Sequence, residues 1–128
     1  MNDWAVQELR LLHRCWPQLE CDEVTGWCRI PSFAIPDGWN KDTVEVAFQI
    51  PANLPGQPPY AFLIRDGLLL ASGTPPTDYN PQATTPWGGT WGQFSWQPES
   101  WAPGPQPGRG TSMVDFVRSF SDRLRDRR

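Results

Sequence analysis

Fifteen prolines and eleven glycines stand among the 128 residues of this chain. Proline locks φ and lacks an N–H, so it stops helices and interrupts sheet ladders. The sequence therefore predicts long, shaped loops around a modest set of regular elements. Eight tryptophans and a hydrophobic share of 38% set it apart from a disordered chain. The length suits a single domain spanning 1–128. Surface scaling gives about 6,900 Å² exposed when folded, against about 21,000 Å² unfolded. One hydrophobic core is expected, with no need of disulfide staples.

Regular elements are readable at both ends and in the first half. Residues 4–16 predict a helix capped by Asn2 or Asp3, with Ala5, Leu9, Leu12 and Trp16 on one apolar stripe and Pro17 as its stop. Leu19 to Asp22 and Trp27 to Ile30 flank a Thr25-Gly26 turn and predict a strand pair. Residues 43–50 alternate, with Val44, Val46, Phe48 and Ile50 on one face and Glu45 and Gln49 on the other. Tyr60 to Ile64 predicts a fourth strand. Ser72 to Pro107 reads as irregular, with Trp87, Trp91, Trp96 and Trp101 set among Pro, Gly and Thr; a loop of that length is usually functional. Thr111-Ser112 then opens a second helix to about residue 125, with Asp115 completing an approximate capping box and Met113, Phe116, Val117, Phe120 and Leu124 buried. The expected layout is α+β: an N-terminal helix, an antiparallel four-stranded meander, a long irregular active-site loop region and a C-terminal helix.

The formal net charge is −3, which argues against nucleic acid as a partner. The arginines near the end, Arg118, Arg123, Arg125, Arg127 and Arg128, alternate with Asp115, Asp122 and Asp126 and read as a solvated helix end. No signal-peptide pattern opens the chain and no apolar run spans a bilayer, so a cytoplasmic protein with no membrane partner is expected. Cys15, Cys21 and Cys28 match no zinc spacing and His13 is the single histidine. No metal and no cofactor is implied, and reduced thiols are the expectation.

Several local patterns occur together in order. Ile50 to Phe62 carries a strand ending in Pro51, a short turn, the double proline Pro58-Pro59 and the start of another strand. Thr85-Pro86-Trp87 follows, then Gly92-Gln93-Phe94-Ser95, then Trp101-Ala102-Pro103. This order resembles the ubiquitin-conjugating (UBC-like) fold superfamily, and within it the bacterial UBC-like proteins found beside ubiquitin-like proteins, activating enzymes and deconjugating peptidases. The resemblance implies a carrier that accepts the C-terminus of a ubiquitin-like protein from an activating enzyme, with those two proteins as partners. It places Ser95 where the family has its catalytic Cys, and Pro86 alone matches the family's His-Pro-Asn. A thioester cannot form there, because no cysteine follows Cys28.

The expected chemistry is then an oxyester on Ser95, with Thr90 as second choice for the nucleophile. A hydroxyl needs a base, and Asp78 and Glu99 are the candidates for base or orienter. Gly88, Gly89 and Gly92 offer backbone N–H groups to an oxyanion. Pro58, Pro59, Pro86, Gly92, Trp101 and Pro103 are expected to shape the loops around the site. Two other readings stand beside this one. The chain can be a catalytically inactive UBC-like module that binds a ubiquitin-like protein or an activating enzyme. It can also present its tryptophans as an aromatic platform for sugars or proline-rich peptides.

Overall fold

Asn2 starts the first helix, α1 (Asp3–Cys15), by accepting a hydrogen bond from the Ala5 N–H at 2.8 Å in the computed structural model, which describes residues 1–128. Ala5, Leu9 and Leu12 are buried along it, as the sequence predicts; Glu8 is buried with them. At the other end, the Ser112 hydroxyl accepts from the Asp115 N–H while the Asp115 carboxylate accepts from the Ser112 N–H at 2.9 Å. This capping box opens α2 (Met113–Arg118). The single C-terminal helix expected to about 125 is in fact two: α3 (Phe120–Arg125) follows a break at Ser119. The Ser119 hydroxyl donates back to the Phe116 carbonyl and accepts from the Trp96 indole N–H at 2.9 Å. A serine so engaged competes with the helix ladder.

The strands are β1 (Glu20–Cys21), β2 (Trp27–Ala34), β3 (Thr43–Gln49), β4 (Phe62–Arg65), β5 (Tyr79–Ala83) and β6 (Trp91–Phe94). They form one antiparallel sheet in the order β1-β2-β3-β4-β6-β5. The four-stranded meander expected from sequence is thus extended to six strands, because the stretch expected to be irregular contributes β5 and β6. Two residues hid them. Pro81 lies in β5, which is the sheet edge, where a missing N–H is tolerated, and the register shifts between Asn80 and Ala83. Gly92 interrupts the apolar pattern of β6 because the Tyr79 ring fills the space a Cβ would need.

Alternation along the strands gives the sheet two unlike faces. One carries Cys28, Ile30, Val44, Val46, Phe48, Phe62, Ile64 and Phe94, and all three helices pack on it. Phe120 of α3 stacks on Phe62 with ring centres 4.3 Å apart and meets Phe116, Phe48 and Phe33 at 4.9, 5.9 and 6.2 Å. The other face carries Trp27, Arg29, Glu45, Ala47, Leu63, Arg65 and Trp91, and the loop holding Trp87 folds over it. The exposed area, 6891 Å², is close to that expected for this length. No helix is long and apolar enough to cross a membrane.

Candidate functional site

Ser95 follows the last residue of β6 and is exposed. Tyr79 pairs with Phe94, so Asp78 stands opposite Ser95. The Ser95 N–H donates to the Asp78 carbonyl at 2.9 Å. Asp78 holds a φ of 52°, a left-handed conformation that aspartate takes more readily than most residues. Its carboxylate pairs with Arg128 Nη1 at 3.2 Å. The Ser95 hydroxyl has no hydrogen-bond partner within the chain.

Behind this edge lies Arg123, which is 2% exposed although the arginine tail was expected to be solvated. Arg123 Nη2 donates to the carbonyls of Thr77 (2.8 Å) and Arg128 (3.0 Å), and Nη1 donates to the Asp126 carbonyl (3.0 Å). Its guanidinium lies 4.9 Å from the centre of the Phe94 ring, and Nε has no partner. Burial lowers its pKa from the usual arginine value. The spacing Phe116, Phe120, Arg123 would have revealed this position, because residue 123 falls on the helix stripe facing the sheet.

The remaining candidates are spread out. Thr90 precedes β6, and its carbonyl accepts from the Asp66 N–H at 2.7 Å. Ser95 lies five steps further along extended chain, about 17 Å along a strand. Glu99 is exposed and forms no ion pair. Gly92 is buried within β6, where its lack of a side chain accommodates Tyr79. The Tyr79 oxygen accepts from the Leu68 N–H at 3.0 Å, and burial raises its pKa. The Gly88 N–H is used in a turn to the Thr85 carbonyl at 3.2 Å.

The loop-shaping residues divide by burial. Pro59 is buried, while Pro58 and Pro86 are exposed. The Trp101 indole donates to the Pro55 carbonyl at 2.8 Å and so ties the stretch after β6 to the β3–β4 loop. Pro103 bridges to Gly110, and Gly104 and Thr111 N–H groups close this turn on Arg109 and Ala102.

On the outer face, Glu20, Arg29, Glu45 and Arg65 form a ladder of ion pairs across β1 to β4, at 2.7, 3.5 and 2.9 Å. Arg29 lies over Trp87 at 5.0 Å and Arg65 over Trp91 at 4.6 Å. Trp87 stands 6.1 Å from both Trp27 and Trp91. Trp91 is fully buried and its indole donates to the Gly88 carbonyl at 2.7 Å. These rings anchor the loop onto the sheet. No group of three His, Cys, Asp or Glu side chains is arranged to hold a metal ion. Compared with protein-family models, curated proteins and solved structures, the chain matches none.

Proposed function

We propose that this protein is a UBC-like docking module of a ubiquitin-like protein conjugation pathway, binding a ubiquitin-like protein or its activating enzyme without a covalent bond. The order of motifs from Ile50 to Pro103 supports the family reading. The observation that carries the non-covalent reading is Ser95, exposed but without a hydrogen-bond partner, while the nearest acidic residue in the sheet register, Asp78, has its carboxylate on Arg128. A serine nucleophile needs a base within hydrogen-bond reach.

A second reading, transfer through a Ser95 oxyester, is favoured by the exposure of Ser95 and by its place beside Asp78. One experiment separates the two. Wild type, Ser95→Ala and Ser95→Cys are incubated with ATP, a bacterial ubiquitin-activating-like enzyme and its ubiquitin-like protein. Gels are run with and without hydroxylamine or dithiothreitol, and binding is measured by calorimetry. The docking reading expects no wild-type adduct and equal binding by wild type and Ser95→Ala. A hydroxylamine-sensitive wild-type adduct that Ser95→Ala abolishes overturns it in favour of the carrier. Absence of binding and adduct together overturns both.

A further inference from the structure

Strands β1 and β2 set two cysteines directly opposite one another. Cys21 and Cys28 are register partners, and all three cysteines of the chain are free thiols. The neighbouring Asp22 N–H donates to the Trp27 carbonyl at 2.8 Å, so Asp22 and Trp27 occupy the hydrogen-bonded position of the ladder. Cys21 and Cys28 therefore take the alternate, non-hydrogen-bonded position, where side chains are closest and Cα atoms stand about 4.5 Å apart. That spacing lies within the range a disulfide spans.

The two thiols differ in access. Cys28 is fully buried under the helices, whereas Cys21 is half-buried at the sheet edge. We propose that Cys21 and Cys28 are a reversible thiol–disulfide pair, oxidised by small-molecule disulfides such as oxidised glutathione. The Cys21 thiolate attacks one sulfur of the oxidant, whose S–S bond breaks. One glutathione leaves as a thiolate and takes up the proton that Cys21 released. Cys28 then gives up its proton and attacks the Cys21 sulfur, forming the Cys21–Cys28 bond and expelling the second glutathione, which takes up that proton. The protein loses two electrons and two protons, and the oxidant gains both as two thiols.

The order of attack follows from the environment. The pKa of the Cys28 thiol is raised, by the neighbouring Cys21 thiol and by burial, and its Sγ–H donates to the Gly26 carbonyl at 3.6 Å. Cys21, the more accessible of the two, is thus the entry point. Strand β1 has only two residues, so the new bond fastens an otherwise lightly held sheet edge. In a reducing compartment such pairs are transient and serve as sensors.

The test uses the Cys15→Ser protein, which removes the third, exposed thiol and leaves the pair untouched. It is equilibrated with oxidised glutathione, quenched with an alkylating agent and weighed by mass spectrometry. The expected product is a monomer two hydrogens lighter, with no alkylated cysteine and no bound glutathione, restored by dithiothreitol. Two alkylated cysteines, a persistent glutathione adduct or a disulfide-linked dimer would each overturn the proposal. Cys15→Ser/Cys28→Ser is expected to stop at the glutathione adduct on Cys21. Full resistance of that variant to glutathione would overturn Cys21 as the entry point.

Discussion

The two faces of the sheet are built from the same strands by alternate residues, yet they are covered in different ways. The inner face is closed by three helices through stacked phenylalanines. The outer face is closed by a loop through three tryptophans interleaved with two arginines, and the arginines are neutralised in turn by Glu20 and Glu45. Removing apolar area from water drives the first arrangement and scales with the area buried. The second relies on cation–π and ion-pair contacts whose charged groups are all partly exposed, each worth about 1 kcal/mol or less. The inner face is thus the source of stability, and the outer face holds a loop in place.

The largest effect is expected at the centre of the inner face. Phe120→Ala should cost about 3–5 kcal/mol, whereas Trp87→Ala on the outer face should cost about 1–2 kcal/mol. Urea denaturation of the two variants measures both. Equal costs would make the outer layer a second core and erase the contrast.

An intermediate effect is expected at Glu8, the acidic exception on the helix side. Its carboxylate accepts from the N–H groups of Gly108 and Met113, both at 2.9 Å. Burial raises its pKa above the ordinary carboxylate value, and the two backbone donors offset part of that rise. Glu8→Gln replaces one acceptor by an amide N–H and leaves a buried donor unpaired, for a loss of about 1–3 kcal/mol. A raised native pKa means that this group favours folding most below the unfolded-state value of 4.5, and that its contribution is lost as pH rises through the native value. The stability gap between wild type and Glu8→Gln should therefore widen on acidification from neutral pH. Denaturation midpoints across that range check the sign, and a gap that narrows would show the backbone donors outweighing burial.

The smallest effect is expected at Glu45, between Arg29 and Arg65. All three side chains are between a fifth and a third exposed. Glu45→Gln should cost no more than about 1 kcal/mol, and added salt should shrink the difference. A loss as large as that of Phe120→Ala would place the ion-pair ladder among the main supports of the fold.

The same contrast explains what could be read from sequence. Helix stripes such as Met113, Phe116, Val117 and Phe120, and the alternation at Val44, Val46 and Phe48, report burial against a single apolar surface, and each of these residues is buried. Strands β5 and β6 were not legible, because Pro81 and Gly92 are tolerated only through tertiary context: a sheet edge for one, the Tyr79 ring for the other. Glu8 and Arg123 interrupt stripes that are otherwise apolar, and their partners are backbone groups brought together by the fold. At the candidate site, the motif order singled out Ser95, with Asp78 as a candidate base or orienter, and the structure sets the two opposite one another where β6 ends. The motif order gave no sign that Arg128 would reach Asp78 or that Thr90 would lie at the far end of β6.

The two hydrogen bonds of Glu8 also bear on time. They join residues 100 and 105 positions apart in the chain. During synthesis at about 5–20 residues per second, α1 emerges first and waits several seconds for the segment that satisfies its buried carboxylate. A helix of 13 residues is marginal by itself in water. The α1 segment thus spends its first seconds without its final partners, and the inner core closes only when the last elements arrive. Contacts so distant in sequence slow folding, which makes the interval before closure the period in which the nascent chain most needs protection from aggregation.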